Sequence, residues 1–286
     1  GWGGFWGWDP VENSSLVPWL IAGIFIHVLR VARGREAALS MVHLAAIFAF
    51  SLVLYGTFLT RSGILGDFSV HSFSGSSIGM ALALVNALVL LAGLLLLIVR
   101  AKQLPQGEMY PSYDSREFVV LLGSLILMFM AAIVFLGMSM PLLTQLSGNP
   151  AAVDTSFYVR TLMPLAIVMM LCIIYACPHT YGSQQPIADW KPLLVCLLVG
   201  GGLAWLAGVH AVLPVLMAGT AVMAAAASVV SWRKHGMHFG GMAAHLGLGI
   251  SLCAMVLAGN GSQSSSQEMA VDVPVQLFGH EIVYKG

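Results

Sequence analysis

Charge is what this 286-residue sequence has least of: 12 Lys+Arg and 12 Asp+Glu make 8% of the chain, where a soluble domain carries roughly 25%. A large core cannot close that gap, because a water-facing surface needs ions whatever lies beneath it. The formal net charge of +0 leaves no basic footprint, so no nucleic-acid partner is expected. Cysteine is scarce too. Cys172, Cys177, Cys196 and Cys253 lie in or beside apolar runs, and none forms a CxxC or CxxCH. They read as small apolar helix residues, not as a redox pair or a covalent attachment site. The sequence also holds no HExxH, no phosphate loop and no Ser/His/Asp set in a recognisable order. It does not begin with Met, and Gly1 sits inside a motif. The expectation is therefore a piece of a longer protein.

What is present is apolar length. The chain is 58% hydrophobic with a mean hydropathy of +0.89, and runs of about 20 apolar residues recur along it. They predict spans over 15–33, 40–60, 78–100, 118–140, 158–178, 192–207, 211–231 and 239–259. The fold class is thus an all-α polytopic membrane protein of about eight transmembrane helices. Residues 1–14 form a Trp-rich segment before the spans, 15–259 the helical domain and 260–286 the start of a β-rich segment. In that tail Val271, Val273, Val275 and Leu277 alternate, then come a Gly-His turn, Ile282 and Tyr284, which suits a β-hairpin.

Cations divide unevenly between the two sides that these spans define. Arg30, Arg33, Arg35, Arg100, Lys102, Arg116, Lys191, Arg233 and Lys234 fall on one side, and only Arg61, Arg160 and Lys285 on the other. The positive-inside bias makes the first side cytoplasmic. Both ends of the chain and the 61–77 segment then face outward.

The outward N-terminal stretch reads GWGGFWGWDPVENSSLVPWL. Part of it is a helix start: Asp9 as N-cap, Pro10 at N1 and Glu12 at N3 as a capping box. Tryptophans beside a span also suit the interfacial aromatic belt. Neither explains Trp2, Trp6 and Trp8 set among Gly1, Gly3, Gly4 and Gly7. Glycines let backbone approach a flat partner closely, and indole rings supply stacking faces. A flat, mostly apolar cofactor at the membrane surface fits that combination, and a membrane anchor remains the alternative.

The run Trp2-Gly3-Gly4-x-Trp6-x-Trp8-Asp9 resembles the tryptophan-rich "WWD" signature of haem-handling membrane proteins. Its continuation, Pro10-Val11-Glu12-Asn13 and then Pro18-Trp19-Leu20, is similar to the branch containing CcmF and NrfE. Phe5 departs from that branch, where another Trp often stands. Gly56-Thr57-Phe58-Leu59-Thr60-Arg61-Ser62-Gly63 and Ser69-Val70-His71 also look like the family's next outer segment. The resemblance implies a haem lyase component of cytochrome c biogenesis. Trp2, Gly3, Gly4, Trp6, Trp8 and Asp9 would then bind substrate haem, with His71 as an axial ligand. Arg61 could pair with a haem propionate, or serve as an ordinary interface anchor.

Nine histidines compete for the remaining roles. His27 lies about 9 Å from the cytoplasmic end of the first span, and His245 about 9 Å into the last one. Two histidines at one depth can hold one metal from opposite faces. The alternative is a helix histidine bonded to a backbone carbonyl, and His43 is the nearest competitor. The resemblance implies that His27 and His245 ligate a buried b-type haem. His179, His235 and His238 are expected to be interfacial or solvated, as are His210 and His280.

The family further implies partners: a haem chaperone of the CcmE type, apocytochrome c, a thiol-reducing subunit of the CcmH type and a possible quinol donor. It places the protein in the bacterial inner membrane, with the WWD segment and the tail on the periplasmic side. Two other classes are weighed beside it. A haem exporter of the same superfamily is shorter and has fewer spans. A quinone-linked redox subunit explains the histidine pair but not the glycine–tryptophan run.

Overall fold

The computed structural model describes residues 6–73, 78–182, 191–261 and 268–285. Its helices are α1 (Pro10–Ala32), α2 (Leu39–Arg61), α3 (Gly79–Arg100), α4 (Arg116–Gln145), α5 (Thr155–Ala176), α6 (Lys191–Leu206), α7 (Val212–Lys234) and α8 (Phe239–Gly261), followed by the strands β1 (Pro274–Leu277) and β2 (His280–Val283). Seven of these helices are long and apolar enough to cross a membrane, and α6, at 16 residues, is shorter. The chain is a polytopic helical membrane protein. All eight predicted spans are helices. The main shift is at α1, which starts at Pro10 and so takes in the last residues of the segment assigned to 1–14.

Helix starts follow their caps. Asp9 accepts from the backbone N–H groups of Val11 and Glu12, Ser115 from Phe118 and Asp154 from Ser156. The expected capping box is incomplete, however. Glu12 does not turn back to Asp9 but accepts from the Gly7 N–H at 2.8 Å, so it ties down the chain two residues further out.

α1 packs between α2 and α4, α4 joins α5, and α5 leads to α7, which carries α6 and α8. α3 lies outside this row against α2. It is apolar all round, and none of its most apolar window is buried by protein. Leu88, Leu91 and Ile98 are left bare among the described residues. Without a hydrophobic drive between helices in lipid, small residues set the approach. A methyl at Gly249 would stand 2.7 Å from the Ala221 carbonyl, and one at Gly219 2.8 Å from that of Leu197.

The two ends of the bundle differ, as the charge count implied. At one end Arg30 of α1 and Arg116 of α4 meet over the Tyr181 ring. At the other the starts of α1 and α5 meet at Trp8 and Tyr158. These contacts set α4 antiparallel to both α1 and α5.

The tail forms the expected hairpin, with Pro274 opposite Val283 and Leu277 opposite His280. Its turn is Phe278–Gly279 and not the expected Gly279–His280, because His280 already pairs with Leu277 as the first residue of β2; both turn residues are at positive φ, 51° and 77°. That is the backbone of a type I′ turn, in which glycine carries no penalty at the second position.

Candidate functional site

Trp8 stands at the centre of the Trp-rich end. Its backbone is at φ 56°, a conformation rare for a bulky residue and costing about 1–3 kcal/mol. Three contacts hold it there. The indole stacks on Tyr158 with centroids 4.7 Å apart and planes within 5°. Trp6 sets its edge against the indole at 6.3 Å. The Asn13 amide donates to the Trp8 carbonyl at 3.1 Å. The Trp6 Nε1 donor is buried without a partner among the described residues.

Tyr158 was not foreseen. It is buried, and it fits because α4 offers Gly137 beneath it: a Cβ there would lie 2.6 Å from the phenol oxygen. Gly137→Ala is expected to push the ring away and to lower stability by about 1–3 kcal/mol. Thermal unfolding and the tryptophan emission of the folded protein would both register the change.

Asp9 does more than cap. Besides the two N–H groups of α1, its Oδ1 accepts the Ser69 hydroxyl at 2.8 Å. Ser69 Oγ in turn accepts the His71 N–H at 3.1 Å, and the His71 Nδ1 lies 3.7 Å from Asp9 Oδ1. Asp9 thus fastens the segment after α2 to the start of α1. That segment is anchored from below by fully buried Leu65 and by bonds from the Phe73 N–H to the Thr60 carbonyl and from the Ser72 hydroxyl to the Leu59 carbonyl. Trp6, Trp8, Asp9 and His71 are brought together. Arg61 is exposed at the end of α2, with its guanidinium 5.6 Å from the Phe73 ring centre. Trp2, Gly3 and Gly4 lie outside the described residues.

The second site is deeper. His27 of α1 and His245 of α8 have ring centres 6.0 Å apart, with planes at 70°. Their helices join through α4, α5 and α7, since α1 packs on α2 and α4 while α8 packs on α7. Each Nδ1 is 2.7 Å from the carbonyl four residues earlier, Gly23 for His27 and Gly241 for His245. A carbonyl only accepts, so Nδ1 carries the proton and Nε2 keeps its lone pair. That tautomer is the one a metal needs. Two metal–nitrogen bonds of about 2 Å, plus about 1 Å from nitrogen to ring centre on each side, give a ring separation of about 6 Å. The 6.0 Å separation is one at which His27 and His245 could share a single metal. Both histidines follow a glycine by four residues, a pattern visible in the sequence that reading by depth alone overlooked.

His43 bonds the Leu39 carbonyl through Nδ1 in the same way but is exposed. His179 differs from expectation: it is buried, stacked on Tyr175 at 4.4 Å, and its carbonyl accepts Arg116 Nη1 at 2.6 Å. Burial of this end of α5 against the start of α4 removes it from the interface. All four cysteines are free thiols, with Cys172 and Cys177 buried.

A membrane-type helical bundle with Trp6, Trp8, Asp9 and His71 gathered at one end and the His27/His245 pair among its helices defines a class only broadly: polytopic membrane proteins with two clusters of aromatic and histidine side chains. The comparisons narrow the class. Residues 1–65 match the family described as cytochrome C assembly protein. The chain is 30% identical over 306 residues to the cytochrome c-type biogenesis protein CcmF of Pseudomonas fluorescens, covering 100% of this chain and 46% of that protein. It is 36% identical over 178 residues to the probable cytochrome c-type biogenesis protein NrfE of Escherichia coli, covering 62% of this chain and 32% of that protein. A solved structure named cytochrome c heme lyase CcmF superposes with a TM-score of 0.65 at 26% identity, over 90% of this chain and 40% of that one. The chain belongs to the CcmF/NrfE family of cytochrome c-type biogenesis proteins. It spans about half the length of the curated CcmF relatives it matches.

Proposed function

We propose that the protein of which this chain is part is a haem lyase component. It takes haem from a chaperone of the CcmE type and presents it to the CxxCH of apocytochrome c, whose thiols a CcmH-type subunit keeps reduced. The observation that carries this reading is the joint presence of the tryptophan–Asp9–His71 site and the His27/His245 pair in one member of this family. In each attachment a thiol adds across a vinyl group: a sulfur–carbon bond forms, the thiol hydrogen moves to the neighbouring vinyl carbon, and no net electron is lost. The chain's own residues act by positioning. Trp6 and Trp8 hold the substrate plane, His71 binds its iron and Asp9 fixes the spacing between them. Trp2, Gly3 and Gly4, as part of the same motif, would contribute to binding that haem, and Arg61 can pair with a propionate. His27 and His245 would hold a resident b-type haem, whose chemistry is one-electron transfer. Electrons from a quinol would keep the substrate iron reduced for attachment. The protein would sit in the bacterial inner membrane with the tryptophan end and the β-hairpin on the periplasmic side.

The test is covalent haem on a CxxCH reporter in cells lacking their own lyase. With the full-length protein restored, haem is expected to stay on the reporter through denaturing electrophoresis. Haem that crosses the membrane but never becomes covalent would instead indicate an exporter.

A further inference from the structure

At the arginine-rich end, a cluster outside both sites lies one helical turn from the histidine pair. Arg30 follows His27 by three residues on α1, on the same helix face and about 4.5 Å further along the axis. Its guanidinium carbon lies 4.8 Å from the centre of the Tyr181 ring, and that of Arg116 lies 4.5 Å from the same ring. Stacking on a ring uses the flat face of a guanidinium and leaves its in-plane N–H donors available.

Those donors are underused. Arg116 gives Nη1 to the His179 carbonyl at 2.6 Å, while its buried Nε has no partner among the described residues. Neither arginine is ion-paired with a carboxylate among those residues. Glu117 does not serve, since its Oε1 accepts the Gly182 N–H at 2.8 Å. Two permanent cations beside a metal-competent histidine pair suit a macrocycle that carries two carboxylates on one edge.

We infer that Arg30 and Arg116, braced on Tyr181, anchor the propionate edge of the cofactor held by His27 and His245. The inference rests on the bis-histidine reading above and adds an orientation to it: the propionates point to the arginine-rich side. A lipid phosphate has the same charge chemistry and would reach the same arginines from the membrane surface.

The test uses the full-length protein in nanodiscs, stripped of haem and titrated with haemin or with haemin dimethyl ester. Wild type is expected to bind haemin about a hundredfold more tightly than the ester. Arg30→Gln and Arg116→Gln each weaken haemin binding about tenfold, and in the double variant the two pigments bind alike. Arg33→Gln, on the same side but outside the cluster, changes nothing. Arg30→Gln leaves the Arg116 contacts intact, so it reads the anchor even if Arg116→Gln fails to fold. Equal affinity of wild type for both pigments would overturn the anchor and assign the arginines to lipid. If neither pigment gives wild type a low-spin spectrum, the histidine reading itself fails and the anchor falls with it.

Discussion

His71→Ala is expected to separate the two sites. If His71 ligates the substrate iron as proposed, covalent haem on a CxxCH reporter falls by at least about tenfold, while the low-spin signal of the His27/His245 site stays at its wild-type level. The separation follows from position. His71 sits beside Asp9 and Ser69 at the tryptophan end, whereas His27 is near the far end of α1. Nothing in the buried pair depends on the segment after α2. If the reporter were labelled normally by His71→Ala, the substrate iron would not need this residue.

Asp9→Ala has the next largest expected effect, because one carboxylate oxygen serves both a helix and a loop. Loss of the N-cap costs about 0.5–2 kcal/mol, and loss of the charge-assisted bond from Ser69 about 1.5–3 kcal/mol. The combined destabilisation is expected near 2–3 kcal/mol, since effects at one atom do not add fully. Asp9→Ser separates the two roles: a serine hydroxyl still caps α1, but it is too short to hold Ser69 at the same distance. Chemical unfolding in detergent should place Asp9→Ser between wild type and Asp9→Ala. Haem capture at the tryptophan end should fall for both variants. Equal stability of Asp9→Ser and wild type would mean that the bridge to Ser69 contributes nothing.

How much of this was legible in the sequence depends on the range of the interaction. Helix positions were legible because twenty apolar residues have one solution in lipid. α3, α6 and α8 fall within one or two residues of the spans read from hydropathy. The hairpin was legible from alternation and its glycine, Gly279. The cap at Asp9 was local and visible, but the direction of Glu12 was not, because Gly7 and Asp9 are both within reach of a side chain at N3. Depth placed His27 and His245 on one level, and geometry added their distance and tautomer. Tyr158 and Tyr181 were missed, and Ser69 was noted only as part of a motif, for a common reason. Each matters through a partner far along the chain: Trp8, Asp9 and the two arginines. Tyr158 lies on a helix with no strong amphipathic stripe to mark the neighbour it faces, and Ser69 and Tyr181 lie in connecting segments whose partners local sequence does not reveal. His179 was misread on the same ground, as its burial comes from the start of α4 and not from its place at the end of α5.

A reduced-minus-oxidised visible spectrum of the purified full-length protein tests the half-buried His27/His245 pair most directly. Wild type should show a low-spin b-type signal that His27→Ala and His245→Ala each abolish, while His43→Ala, whose ring is exposed, retains it. A b-type signal of undiminished size in both His27→Ala and His245→Ala would contradict the account.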